Sequence, residues 1–316
     1  MTFVHIPVLL QEVLQGLNLK SDGIYLDATF GRGGHSRKIL EKLGSEGRLY
    51  ALDRDLEAIE AAKEIEDPRF TIVHSPFSKL KECCDEWGIT GKVDGILMDI
   101  GVSSPQLDDA SRGFSFDRDG PLDMRMDKSA SISAATLVNS CSQKELSYIF
   151  KVYGEERFAS KVASAIVRAR EIKPFERTKE LSELISKTIP GYEPKHKATR
   201  CFQALRIAVN SELDELRQAL KETIDVLSEH GRLCVISFHS LEDRIVKNFI
   251  KEQAQGQVVP SNIPLTFEQI EKLRLSTATM EPVGGPVKAG EAELQQNVRS
   301  RSAILRTCAR LPRLKE

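Results

Sequence analysis

The chain has 316 residues, of which 41% are hydrophobic and 29% charged, with a formal net charge of -1. It is long enough to bury a large core, as one big domain or a domain with an insertion, and it is not a generally polybasic protein. No apolar run approaches the ~20 residues of a membrane-crossing helix, and the N-terminal MTFVHIPVLLQEVL has no basic start and is broken by Pro7, so neither membrane insertion nor secretion is expected. Six cysteines without C-x-x-C spacing argue against a disulfide framework or a zinc site. A cytoplasmic protein without a metal is the expectation.

In chain order, 23–29 reads as a strand, 35–43 as a helix, 47–53 as a strand and 56–66 as a helix with one apolar face. Strands at 70–74 and 93–99 follow, separated by a helix around 78–87. Short buried runs alternating with amphipathic helices predict a doubly wound α/β fold, a parallel sheet covered on both faces. Ligands in such sheets bind beyond the carboxyl ends of the strands, which directs Asp27, Asp53, 74–77 and Asp99 toward one crevice.

The rhythm then breaks, and the next convincing strand is 231–237. The interval opens on a Gly-, Ser- and Asp-rich loop and continues with helical patterns at 144–153, 157–170, 178–188 and 198–229, the last with a break. Residues 106–212 are therefore expected to form an inserted helical domain for substrate recognition, with 1–105 and 213–316 as the core. Ser240 and Asp243 have capping-box spacing for a following helix. Residues 254–298 read as a long loop with one short helix near 266–273, and 302–311 as a final strand at the sheet edge.

The segment YLDATFGRGGHSRKIL, 25–40, runs from strand through glycines into helix. It lacks the Lys-Ser/Thr of a phosphate-cradling loop, and Ser36 stands where the dinucleotide fingerprint has its third glycine. What remains is Asp27, small residues at Thr29, Gly31 and Gly33, and Asp53 ending the next strand. That suits a nucleoside without phosphates: glycines permit close approach, and Asp53 can accept from both ribose hydroxyls. S-adenosylmethionine has this shape, and Asp27 and Asp99 complement its cationic groups. A nicotinamide cofactor is the runner-up, with Arg54 leaving an opening for a 2′-phosphate. Each residue has a plainer alternative as a turn glycine or helix cap.

Two basic clusters, Lys195, His196, Lys197 and Arg200, and Arg299, Arg301, Arg306, Arg310, Arg313 and Lys315, read alone as solvated surface and in a nucleic-acid enzyme as phosphate contacts. His239 could be catalytic, an RNA contact or structural.

HIPVLLQEVL, DATFGRGGHS, DIGVSSPQLDDASRGFSFDRDGPLDMRM, GEERFASKVA, TRCFQALRIAVN, ISFHSLEDRIVK and RSRSAILR together resemble the bacterial MraW/RsmH family over essentially the whole chain. The resemblance implies a Rossmann-like class I sheet with an inserted helical domain, and methylation at N4 of a cytosine in the decoding centre of 16S rRNA in the small ribosomal subunit. S-adenosylmethionine would be the cofactor. It implies cofactor contacts at Gly33, Gly34, His35, Asp53, Phe77, Asp99 and Gln106; Asp27 and Gly31 join them from the reading above. Ser103-Ser104-Pro105-Gln106 is similar to the serine-proline motif of amino-methyltransferases, which assigns Ser104 and Pro105 to catalysis, but Gln106 and Leu107 stand where a second proline and an aromatic are usual. Phe114 and Phe116 could stack a cytosine or serve a core, and Asp108, Asp109, Asp117, Asp119 and Asp123 read mostly as turn chemistry. A non-catalytic rRNA-binding assembly factor and a homodimer stay open.

Overall fold

The structure is a computed structural model that describes residues 7–256 and 265–312. The chain divides into two compact units, Met1–Gly101 with Leu213–Glu316, and Val102–Glu212. The second opens at Val102 rather than at 106.

The strands are β1 (Ile24–Asp27), β2 (Arg48–Asp53), β3 (Phe70–His74), β4 (Val93–Asp99), β5 (Leu227–Ser237), β6 (Met280–Pro282), β7 (Val287–Lys288) and β8 (Ile304–Arg310). The first helices are α1 (Leu10–Leu17), α2 (Gly34–Leu40), α3 (Leu56–Ala62), α4 (Leu80–Glu86) and α5 (Ser104–Asp108). Next come α6 (Ala134–Ser140), α7 (Gln143–Val152), α8 (Ala159–Arg170), α9 (Thr178–Thr188) and α10 (Thr199–Asn210). The last are α11 (Glu212–Val226), α12 (Ser240–Gln255), α13 (Phe267–Thr277) and α14 (Glu291–Gln296).

In the first unit the sheet order is β3-β2-β1-β4-β5-β8-β6, with β7 also on β8. β1 to β5 pair in parallel and β8 is antiparallel to β5, β6 and β7. This is a Rossmann-like doubly wound sheet. Its strands read as unbroken apolar runs because both faces are covered. In β4, Leu97 packs into one cluster with α1 and α2, whereas Ile96 and Met98 pack into another with α4, α11 and α12. Cys234 and Ile236 of β5 join the first cluster, Leu233 and Val235 the second.

Two expectations are corrected here. The final strand is not at the edge: β6 and β7 form from the stretch read as loop and flank β8 on the side away from β5. The cap of α12 sits one residue earlier than Ser240. His239 is the N-cap, its Nδ1 accepting the Glu242 N–H at 3.4 Å while Glu242 Oε2 accepts the Phe238 N–H at 2.8 Å. A fully buried Glu242 is thus tied to backbone amides.

The second unit is helical around Leu146, Phe150, Val162, Ile166, Leu181 and Phe202. Within and just before α8, Val162 and Ile166 are fully buried and Phe158 and Ala169 partly so. Ser211, in left-handed backbone, ends α10 and supplies the break expected within 198–229. Side chains hold the loop before α6. Asn210 Oδ1 accepts the Met126 N–H at 2.8 Å, and its Nδ2 donates to the Met124 and Arg206 carbonyls at 2.8 and 2.9 Å. Arg112, 2% exposed, donates to the Arg125 and Met126 carbonyls at 3.1 and 3.0 Å. Gly120 packs so closely that a Cβ would lie 1.7 Å from the Ala110 carbonyl oxygen.

Asn210→Ala leaves buried backbone groups unpaired and is expected to destabilise the chain by about 3 kcal/mol. Denaturant unfolding of the full chain measures this, and a loss well under ~1 kcal/mol would show that the loop does not depend on Asn210.

Candidate functional site

β1, β2 and β4 run in parallel and end in acids, Asp27, Asp53 and Asp99. The loop from β1 to α2 ties them together. Ser36 Oγ donates to Asp27 Oδ2 at 2.6 Å and the Thr29 N–H to Asp27 Oδ1 at 3.1 Å. The Gly31 and Asp55 amides donate to the two oxygens of Asp53 at 2.7 and 2.8 Å. Thr29 Oγ1 accepts the Asp99 N–H at 2.7 Å.

Burial pushes the Asp27 and Asp53 carboxyls up to about 6, against the pull of these donors. Asp99 is pushed further, to about 8, by burial and then by the charges of Asp27 and Glu242. Its side chain keeps 26% exposure, yet its Oδ1 is buried and has no hydrogen-bond partner among the described residues. His35 lies alongside: its Nε2–H donates to the Val8 carbonyl at 3.0 Å, leaving Nδ1 3.7 Å from Asp99 Oδ2.

The glycines do different jobs. Gly33 caps α2 at φ 74, where a Cβ would fall 2.6 Å from the Phe30 ring, and a Cβ on Gly34 would fall 2.7 Å from Pro7. Both are filled by the protein's own packing. Gly31, at φ 58, has nothing among the described residues within 4 Å of its missing Cβ, and there a ligand could approach the backbone. Phe77 opens a 3-10 turn after β3 and is partly buried against the core. Arg54 accepts from His74 Nε2 through its carbonyl at 3.0 Å, and Asp55 caps α3.

The sequence reading missed the N-terminal segment as a structural part of this loop. Pro7 covers Gly34, Val8 receives His35, and the Leu9 N–H donates to Glu293 Oε1 at 2.9 Å. The only signal was that HIPV precedes an amphipathic run.

In the second unit Ser104 and Pro105 open α5 and Gln106 is buried, its Oε1 accepting the Ser103 N–H at 2.9 Å. Phe114 is buried in the helical core, 5.9 Å beneath the Arg112 guanidinium. Phe116 stacks on the exposed His196 ring at 4.5 Å and 18°, backed edge-on by Phe202 at 5.3 Å. The loop acids mostly serve structure: Asp109 caps the 3-10 turn Ala110–Arg112, Asp119 pairs with Arg177 at 2.7 Å, and Asp123 pairs with Arg125 at 2.7 Å.

Two arginines of the tail cluster are bonded within the fold. Arg306 grips Asp243 through two hydrogen bonds at 2.7 and 3.1 Å, and the buried Arg310 donates to the Ile224 and Thr279 carbonyls at 2.9 and 2.8 Å. Arg313 and Lys315 lie outside the described residues. In the other cluster Lys197 donates to the Ile189 carbonyl at 2.8 Å, while Lys195 is exposed. No helix among the described residues is long and apolar enough to cross a membrane.

These residues fit a cationic nucleoside. Asp53 retains a lone pair on each oxygen beyond its amide bonds, Asp99 Oδ1 lacks a partner among the described residues, and Gly31 leaves space. Acid-tipped parallel strands of a Rossmann-like sheet around a glycine loop make a site of the nucleoside-cofactor kind. The chain belongs to the MraW methylase family, which it matches over residues 2–311. It is accordingly a methyltransferase with S-adenosylmethionine as cofactor, and the nicotinamide and non-catalytic alternatives fall away.

A Shewanella amazonensis protein named ribosomal RNA small subunit methyltransferase H is 52% identical over 312 residues, 98% of each chain. Among solved structures, an rRNA methylase from Streptococcus thermophilus is 10% identical, with 96% of this chain and 92% of that one covered and a TM-score of 0.40. A SAM-dependent O-methyltransferase from Thermotoga maritima is 9% identical, with 97% and 66% covered, also at 0.40. Likenesses this weak bear no weight on function.

Asp99 holds its proton up to about pH 8 when folded and ionises near ~4 when unfolded. The folded chain therefore binds more protons between these values, and stability falls as pH rises through that window. Asp99→Asn is expected to flatten the fall between pH ~6 and ~8, as read by denaturant unfolding across pH. Identical slopes for both proteins would remove Asp99 as the linked group.

Proposed function

We propose that the protein methylates N4 of a cytosine in the decoding centre of 16S rRNA, within the small ribosomal subunit. The observation that carries this reading is the 52% identity, over 98% of each chain, to a protein named as a small-subunit rRNA methyltransferase. The site chemistry supports the cofactor half. When bound, S-adenosylmethionine supplies a methyl group on a cationic sulfonium.

Asp53 would accept the ribose hydroxyls, with Phe77 beside the adenine. Asp27, ionised at neutral pH, would set a negative potential for the cationic end, Asp99 would join it once the cation lowers its proton affinity, and Gly31, Gly33, Gly34 and His35 would form the loop against which it lies. Gln106 carries its cofactor assignment from the family resemblance alone.

Cytosine N4 is a weak nucleophile because its lone pair is delocalised into the ring. Acceleration then comes mainly from alignment and from acceptors for the amine hydrogens. Ser104 and Pro105 are assigned to that role at the start of a proline-stiffened turn. The exposed His196 ring, stacked on Phe116 beside Lys195, suits an unstacked RNA base more than the buried Phe114 does. These features favour RNA recognition by the helical unit. A cytoplasmic location follows from a ribosomal substrate.

Asp53→Ala is expected to weaken cofactor binding by roughly 10- to 100-fold, the loss of charge-assisted hydrogen bonds. Calorimetry measures it, and unchanged affinity would cancel the ribose assignment. For the reaction itself, labelled methyl is transferred to small subunits from cells lacking the gene, and the RNA is digested to nucleosides. Label in N4-methylcytidine is expected; label in another nucleoside would overturn the N4 assignment.

A further inference from the structure

A second binding feature lies in the first unit, toward the β6 edge of the sheet, away from the loops after β1 and β2. A cavity of about 310 Å³ opens between α12, α13, the turn after β6 and β8. We propose that it binds backbone phosphates of the RNA substrate, an inference that rests on the rRNA reading above.

Four cationic side chains line it, Lys247, Lys251, Arg274 and Arg306, and among the described residues no carboxylate does. Asp243 offsets one of these charges by pairing with Arg306, and it also fixes that guanidinium in place. The chain as a whole carries a net charge of -1, so this concentration of positive charge does not follow from composition.

Lys247 and Lys251 stand four residues apart on α12, one turn above the other, and neither has an ion pair among the described residues. Like charges at that spacing repel, and an anion lodged between them relieves the repulsion. The opposite wall is low: Gly284, in left-handed backbone at φ 67, and Gly285 have nothing within 4 Å of their missing Cβ atoms. A chain as bulky as a sugar-phosphate backbone can therefore reach the lysines.

Among the described residues the lining also contains no aromatic ring to stack a base. Cations without aromatics describe a contact that positions RNA through its phosphates rather than one that reads sequence.

The test compares the wild-type chain with Lys247→Ala/Lys251→Ala and, in case that variant folds poorly, Lys247→Gln/Lys251→Gln. Binding to small subunits from cells lacking the gene is followed across a salt titration, with cofactor affinity as the check on folding. Loss of two phosphate contacts is expected to lower the slope of log K against log salt by about 2, with cofactor affinity unchanged. A folded variant with the wild-type slope overturns the proposal. Inorganic phosphate that binds the wild type and not the variant, with the RNA slope intact, overturns it in favour of a free-anion site. If the wild type itself has no affinity for the subunit, the rRNA reading fails, and this proposal falls with it.

Discussion

Three carboxyl groups, one buried and two half-buried, at the ends of neighbouring parallel strands constrain everything around the cofactor loop. Parallel pairing brings Asp27, Asp53 and Asp99 to the same end of the sheet, where burial and mutual repulsion oppose ionisation. The stretches that follow β1 and β2 are built to answer this. Ser36, Thr29, Gly31 and Asp55 each aim a donor at Asp27 or Asp53, while Asp99 is left with a raised proton affinity and one oxygen unmatched among the described residues. An arrangement that is costly in the empty fold becomes favourable once a cation lies against it. Binding then supplies the countercharge that the chain withholds.

The parallel strands were legible because each is a short apolar run with helices on both faces, and the acids were legible because topology alone brings strand ends together. Much of the rest depends on long-range contacts that leave no local trace. The helix α1 begins at a left-handed Leu9 with no side-chain cap, its backbone satisfied instead by Glu293 from far along the chain. β6 and β7 are short and mostly exposed, so no alternation marks them. The α12 cap was misplaced because an imidazole nitrogen takes the part usually played by Ser or Asp. That Gly33 and Gly34 must lack side chains because Phe30 and Pro7 fill the space was not visible from the sequence. Arg306 and Arg310 of the tail cluster looked free until Asp243 and the carbonyls of Ile224 and Thr279 were seen to hold them.

The long loop of the helical unit teaches the same lesson from the opposite side. Its Gly, Ser and Asp content suggests flexibility, but Asn210 and the buried Arg112 satisfy its carbonyls and amides from within. Gly120 has no room even for a methyl group. Such a loop holds its shape at little further entropic cost when a substrate arrives. That is the property required where a weak nucleophile must be aligned rather than activated.

Charge must also be divided between tasks. The acids that attract a cationic cofactor repel a polyanion, so the end of the sheet that carries Asp27, Asp53 and Asp99 cannot also be the source of RNA affinity in this unit. A chain with almost no net charge cannot attract RNA by its overall field either. Attraction has to come from cations that internal bonding has not consumed. Arg306 and Arg310 are largely spent on the fold, whereas Lys247 and Lys251 line a cavity with no acid among its described residues. Placing them at the β6 edge separates the two electrostatic demands within a single sheet, so that RNA binding does not compete with the field that holds the cofactor.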